Sequence, residues 1–317
     1  MVTFSPADLI NHIKPDTLRV HAPSRVVFLC GGTQDSASPK PLSRRDAFFR
    51  TIPATSSKYR TILAEDANPL TTEAGYKDLF RFEQDIAHLV GLVLLFVESP
   101  GSIAELGAFA ALQPVAARLL AVLDDFHYEQ VSFIKNGPVL HLETEYGEES
   151  ILTLDRKELG IDDEGSIIQM DETRFNESVL PEVEKRLENL VSWSSFDSKN
   201  RGHIIILMTG LCQEFGALKI TEIRTYLEKL GVRDLQVNNY IYCAQLLGWL
   251  KKIHKGNNIF YVASPLETAI DFIFDGEAGS TFDKMRWRAS VREHWKATDR
   301  PRFGAISEIA AASAGDL

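Results

Sequence analysis

Residues 91–97, GLVLLFV, hold no polar side chain. A half-exposed strand alternates apolar and polar residues, so a run that is apolar on both sides of the pleat must be covered on both faces. Helical β-α-β crossovers supply that cover, and antiparallel hairpins do not. The run therefore predicts the central strand of a parallel sheet layered between helices, an α/β fold.

The neighbouring segments agree. RVVFLC (25–30) and RLLAVLD (118–124) are further buried strands by the same criterion, KYRTILA (58–64) reads as a second strand, and GPVLHLE (137–143) reads as a short last one. Helical spacing appears in LSRRDAFFRTI (42–52) and in SIAELGAFAALQ (102–113), which Pro114 ends. It also runs through TTEAGYKDLFRFEQDIAHLV (71–90), with Leu79, Phe82, Ile86 and Leu89 on one stripe. Ligands of such sheets sit beyond the C-terminal ends of the strands. Gly31-Gly32, Glu65-Asp66 and the ESPGS turn (98–102) all fall there, so three loops distant in sequence are expected to meet at one mouth.

Residues 144–165 are acidic and turn-rich, which places a boundary there. The reading is a first domain over 1–160, a connecting helix within 161–196 (SVLPEVEKRLENLVSWSS, 178–195) and a second domain over 197–317. In the latter, HIIILMTGLCQEFG, KITEIRTYLEKLG and QVNNYIYCAQLLGWL read as helices. KKIHKGNNIFYVAS (251–264) reads as a hairpin around Gly256-Asn257. Three helices and a hairpin is the order of a winged helix-turn-helix. SPLETAIDFIFDG (264–276) adds a helix, and a basic, aromatic extension closes the chain; its Trp287 and Trp295 read as packing residues.

The net charge of −10 argues against wholesale wrapping of nucleic acid, not against a local basic face. Residues 197–259 hold nine Lys/Arg against five Asp/Glu, and residues 281–302 seven against three. Lys251, Lys252 and Lys255 sit on the expected wing, and Asn238 and Asn239 open the candidate recognition helix. These are the candidate nucleic-acid contacts. Cys30, Cys212 and Cys243 show no C-x-x-C spacing, which fits a reducing, cytoplasmic setting with no disulfide framework and no zinc cluster. The N-terminus lacks a leader pattern and no apolar run approaches ~18 residues, so no membrane span is expected.

The chemistry concentrates in ESPGSIAELGAF (98–109). Ser99, Gly101 and Ser102, at a strand end and ahead of a helix, read as an anion seat, as do Gly31 and Gly32. Glu105 admits two readings. With Ser102 it forms S-x-x-E, a capping box. It is also a carboxylate near a helix N-terminus at a pocket mouth, suited to attack or stabilise an anomeric carbon becoming an oxocarbenium ion. A second carboxylate to position a proton or hydroxyl is available in Glu83 or Asp85, whose plain alternative is a solvated helix face.

FLCGG (28–32), EQDIAHLVGLVLLF (83–96), ESPGSIAELGAF and SFIKNGPV (132–139) together resemble the nucleoside 2-deoxyribosyltransferase-like toxins encoded with retrons. The likeness covers most of residues 25–143, in the same order. It implies a nucleoside deoxyribosyltransferase-like sheet of the flavodoxin/Rossmann type, with a C-terminal winged-helix-like module. It implies Glu105 as the catalytic carboxylate and Glu83, with Asp85 second, in the sugar pocket; many relatives carry Glu-Asn where this chain has Glu83-Gln84. The implied activity is that of an N-glycosidase effector in anti-phage defence, with NAD or a related nucleotide as substrate and no cofactor. The implied partners are a retron reverse transcriptase and its multicopy single-stranded DNA, and the implied state is a homo-oligomer. Two alternatives stand beside it: a nucleotide-sensing DNA-binding regulator, and a deoxyribosyl transferase of nucleoside salvage. The appended module argues against the second.

Overall fold

A computed structural model of the chain describes residues 10–21, 25–52, 59–67, 69–190, 193–264, 268–272 and 283–315. Two units are found, one of Pro23–Asn68 and Phe80–Leu190, the other of Met1–Ala22, Pro69–Leu79 and Val191–Leu317. The first described strand, β1 (Arg19–His21), belongs to the second of these.

Strands β2 (Val26–Cys30), β3 (Arg60–Leu63), β4 (Leu92–Phe96), β5 (Leu119–Asp124) and β6 (Ile151–Leu154) form one sheet in the order β3-β2-β4-β5-β6, each pair parallel. Every residue of β2, β4 and β5 is buried, as an apolar run on both faces demands. Helices α1 (Arg44–Thr51), α2 (Leu79–Ala87), α3 (Pro100–Ala111), α4 (Gln113–Ala116), α5 (Asp125–Glu129), α6 (Leu140–Tyr146), α7 (Arg156–Leu159) and α8 (Glu172–Glu188) run between and after the strands. Strand alternation sends Val27, Leu29, Leu92, Leu94 and Phe96 into one core with Phe48 of α1 and Phe175, Val179 and Val183 of α8. Phe28 points the other way and meets Phe82 of α2 edge-on, ring centroids 6.4 Å apart. The chain winds outward from β2 to β3 and then returns to β4 on the opposite side. The strand order reverses between β2 and β4, which is where doubly wound sheets open a crevice.

Several elements differ from the sequence reading. Residues 137–143 are helical, because Val139 and Leu142, three apart, are the buried positions. The last strand is instead β6, inside the acidic stretch. The helix expected over 71–90 is confined to Leu79–Ala87. Residues 71–75 turn back, the Gly75 N–H donating to the Thr71 carbonyl at 3.0 Å, and Gly75 adopts φ +77°, which a right-handed helix cannot include. Leu79, placed on the apolar stripe, is half exposed. Pro114 opens α4 rather than ending α3. The helix foreseen as a connector, α8, supplies core residues to the sheet unit.

In the second unit β7 (Trp193–Ser195) pairs with β1. Then come α9 (Arg201–Phe215), β8 (Ala217–Leu218), α10 (Ile220–Lys229), α11 (Val237–Leu246), β9 (Leu250–Lys255) and β10 (Asn258–Ala263). Gly216 (φ +85°) terminates α9 and Gly256 (φ +59°) turns the hairpin β9–β10, whose outer edge takes β8 in the order β8-β10-β9. Within the segment read as a helix over 264–276, Ile270–Asp271 form β11, paired with β1; residues 265–267 and 273–276 lie outside the described residues. Helices α12 (Lys284–Thr298) and α13 (Arg300–Gly315) follow. The indoles of Trp287 and Trp295 donate to the carbonyls of Glu214 and Phe215, each at 2.9 Å, and so lock α12 to the end of α9. Among the described residues no helix is long and apolar enough to cross a membrane.

Candidate active site

Helix α3 starts three residues earlier than S-x-x-E implies. Ser99 is its N-cap and Pro100, with φ preset for a helix, occupies the first turn. The Ser102 N–H donates to Ser99 Oγ at 3.2 Å, and Ser102 Oγ accepts the N–H groups of Ser99 at 2.8 Å and Glu98 at 2.9 Å. The capping box is therefore Ser99 with Ser102, and Glu105 has no capping duty. Both serine hydroxyls face their own turn; Gly101 between them is exposed.

The seat at Gly31-Gly32 is filled by the chain itself. Glu98 Oε1 accepts the N–H groups of Gly32 at 3.0 Å and Arg45 at 3.1 Å, and Oε2 accepts the N–H of Arg44 at 2.6 Å. A carboxylate thus sits where a helix N-terminus and a glycine loop would hold a phosphate. Gly32 is needed for this approach, since a Cβ there would lie 2.8 Å from Ser43 Cβ and 2.9 Å from Glu98 Oε1. The Arg44 side chain, buried, donates to Glu98 at 3.2 Å and to Asp124 at 3.1 Å, and Arg156 joins Asp124 at 2.8 Å. Burial pushes Asp124 up, but the two guanidiniums outweigh it and hold its carboxyl below the ordinary range.

Glu105 and Glu83 are each half-buried, and Glu105 Oε2 is buried with no hydrogen-bond partner. Burial lifts Glu105 to about 7, with the Arg45 guanidinium pulling down against it and Glu65 pushing up. Glu83 is lifted to about 7 by burial and then by the charge of Glu105. The buried Cys30 thiol is pushed up by burial, then by Glu105 and Glu83. The groups that act on one another electrostatically come from β2, α1, the turn after β3, α2 and α3. Asp85 lies two residues, about 200° of helix rotation, from Glu83 and is wholly buried. Of the two acids on α2, Glu83 is the one coupled to Glu105. Two carboxyls that both titrate near neutrality share about one proton there, an arrangement that can serve acid–base chemistry. Among the described residues no cluster of three or more His, Cys, Asp or Glu is placed to hold a metal ion.

Arg44, Arg45, Glu65 and Glu98 escaped the sequence reading as a set. One signal was available: two arginines in the first turn of a helix oppose its dipole. Such a pair demands anionic neighbours, and Glu98, Asp124 and Glu65 are those neighbours.

The candidate nucleic-acid contacts divide. Lys251 and Asn238 are exposed. Lys252 pairs with Glu73 at 2.5 Å and Lys255 with Glu308 at 2.6 Å. Asn239 is buried, its amide donating to the Ala74 carbonyl at 3.1 Å, so it holds the unit together and presents nothing outward.

Comparison with known proteins finds a match of residues 41–252 to the model of a family described as STM3845 retron effector protein. A protein of Escherichia coli, provisionally named retron Ec86 ribosyltransferase/DNA-binding protein, is 30% identical over 168 residues, 52% of this chain and 53% of the relative. The match thus spans about half of that relative's length.

Proposed function

The chain belongs to the family of STM3845 retron effector proteins, and from that premise we propose that its sheet unit is an N-glycosidase acting on NAD or a related nucleotide. The observation that carries this reading is the Glu105–Glu83 pair: two half-buried carboxyls, both raised to about 7, one with an unpartnered oxygen, at the reversal point of a parallel sheet. The provisional ribosyltransferase name of the Ec86 relative supports the same bond class.

In the proposed reaction a Glu105 oxygen attacks C1′ of the ribose as the C1′–N bond breaks, and the base leaves with the bonding electron pair. With nicotinamide the leaving group departs neutral and needs no proton; with a neutral base, protonated Glu83 supplies one. Water then attacks C1′ and releases Glu105, its proton passing to Glu83 or to solvent. Because Glu98 fills the glycine loop, the substrate's phosphates lie elsewhere along the mouth.

The second unit we assign to partners. The succession α9, β8, α10, α11, β9, β10 is the element order of a winged helix, and we read it as the module through which a retron reverse transcriptase and its multicopy single-stranded DNA restrain the enzyme. The relative's name also includes DNA binding.

The test is the purified chain incubated with NAD and a panel of deoxynucleosides, with products separated by chromatography. Release of nicotinamide or free base, falling ~10³-fold or more in Glu105→Gln, is expected for a covalent role. Release at the native rate by Glu105→Gln overturns the assignment.

A further inference from the structure

The second unit holds a cavity of about 350 Å³ between the end of α9 and the helices α12 and α13. Its apolar lining is Val291 of α12, which is buried, and Ile306 of α13. Gly216, just past α9, lets the chain turn against that lining, since a Cβ there would lie 2.8 Å from Ile306 Cδ1.

The polar lining is charged. Arg288 and Arg292 stand one turn apart on α12 and so share a face of it, and Glu214 comes from the last turn of α9. The Glu214 side chain is wholly buried, and its Oε1 accepts from Arg288 Nη2 at 2.5 Å. That pair is only half made. Glu214 Oε2 and Arg288 Nε, which a two-bonded carboxylate–guanidinium pair would join, are both buried without a hydrogen-bond partner among the described residues. Arg292 is exposed, its guanidinium 5.6 Å from the centre of the Phe303 ring, a contact that steadies it without neutralising it. Among the described residues of the lining, two guanidiniums thus stand against one carboxylate. The carbonyls of Glu214 and Phe215, at the negative end of α9, already accept the indole N–H groups of Trp287 and Trp295, which blunts their repulsion of an anion.

We propose that this cavity binds a small phosphate monoester of mononucleotide size, its phosphate across Arg288 and Arg292 and its organic body against Val291 and Ile306. A phosphate has oxygens enough for two guanidinium forks, and its charge takes up the positive excess of the lining. A cavity of roughly 300 Å³ or more encloses a ligand of that size. The ester also supplies what the half-made pair lacks. A phosphate oxygen accepts from Arg288, and a hydroxyl or amino group of the body donates to Glu214 Oε2. The site is independent of the reaction proposed for the sheet unit.

Trp287 precedes Arg288 in the chain, and all four tryptophans lie in the second unit, so tryptophan fluorescence reports on this cavity and not on binding in the sheet unit. The full chain is titrated with the four ribonucleoside monophosphates, their nucleosides, inorganic phosphate and a short single-stranded oligonucleotide. At least one monophosphate is expected to change the emission with a midpoint below about 1 mM. Its nucleoside and inorganic phosphate are expected to bind at least ~10-fold more weakly, each lacking half of the contacts. Arg292→Gln, at an exposed position, should weaken the monophosphate roughly 10-fold, one charged contact being lost. Ala289→Glu, which sets an anion on the exposed rim of the cavity, should abolish the response. No saturable response to any monophosphate overturns the proposal. A nucleoside that binds as tightly as its monophosphate removes the arginines from the site, and inorganic phosphate that binds as tightly removes the cavity; either overturns it. So does a response to the oligonucleotide alone, which would make α12 a nucleic-acid face. Parental affinity in both variants would place the ligand elsewhere in the unit and overturn it equally.

Discussion

Glu98 caps a helix to which it does not belong: its Oε2 accepts the backbone N–H of Arg44 at 2.6 Å and that residue's Nε at 3.2 Å. The bond ties the end of β4 to the start of α1 across the reversal point of the sheet. It leaves the Arg44 guanidinium, 4% exposed, dependent on Glu98 and Asp124 for its charge.

Glu98→Ala is therefore expected to destabilise the sheet unit by about 3 kcal/mol, the scale for removing one partner of a buried ion pair. Tryptophan fluorescence will miss this, because Trp193, Trp249, Trp287 and Trp295 all lie in the other unit. Hydrogen exchange of the β2 and β4 amides is the measurement, with exchange through global opening roughly 100-fold faster in the variant. Unchanged protection would mean that Asp124 alone suffices for Arg44.

Glu83 and Glu105 are both raised in the folded state to about 7 from the ordinary 4.5. Between those values the folded chain holds protons that the unfolded chain has released. The contribution of this pair to stability is thus full below about pH 4.5, falls as pH rises toward about 7, and is absent above that. Glu105→Gln removes an ionised group that burial penalises. At about pH 8 the variant is expected to be more stable than the parent by on the order of 1 kcal/mol, allowing for solvent screening. The difference should shrink toward pH ~5. Urea titrations at the two pH values, followed by far-UV circular dichroism, check the sign. On a substrate whose base must be protonated to leave, the activity of the parent should follow a bell centred near neutrality, one carboxyl ionised and the other protonated, whereas on NAD it should rise to a plateau as Glu105 ionises.

Two glycines in the same region are expected to respond in opposite ways to alanine. Gly31 sits at φ +145°, and a Cβ there would lie 2.9 Å from Phe96 Cβ and 3.0 Å from its carbonyl oxygen. Gly31→Ala should cost more than about 1 kcal/mol and loosen Arg45 beneath it. Gly107, exposed and within α3, has nothing within 4 Å of its added Cβ. Gly107→Ala should stabilise α3 by roughly 0.5–1 kcal/mol. Thermal midpoints of the two variants against the parent settle both signs.

What the sequence disclosed follows the range of the interactions involved. β2, β4 and β5 were legible because each is apolar on both faces, a property of six or so adjacent residues. β6 was not, because only Leu154 of its four residues is buried, Thr153 is exposed, and acids precede it. The over-long helix at 71–90 shows the opposite error: its apolar spacing is real, but Gly75 in a left-handed turn breaks it. Glu105 and Glu83 could be named as candidates from local pattern and resemblance. Their surroundings could not, because Arg45 meets Glu65 across 20 residues and Glu98 across 53. Such pairs exist only once the strand order is known.

The second unit allows nucleic-acid contact to be separated from architecture. Asn239 is buried and satisfies the Ala74 carbonyl, so Asn239→Ala leaves an unpaired buried acceptor and should destabilise that unit by about 1–3 kcal/mol, lowering its unfolding midpoint. Tryptophan fluorescence is the right probe here. Lys251 is exposed on β9, paired in register with Val262. Lys251→Glu should leave that midpoint unchanged. If the hairpin is the wing that meets DNA, the same substitution should weaken binding of single-stranded DNA several-fold at low salt and flatten the dependence of affinity on salt concentration, one phosphate contact being lost. Lys252 and Lys255, already paired with Glu73 and Glu308, should matter less than Lys251. Fluorescence anisotropy with a labelled oligonucleotide across a salt series measures all three. A Lys251→Glu protein with parental affinity and salt slope would remove the hairpin from the interface and leave this unit as a surface for protein.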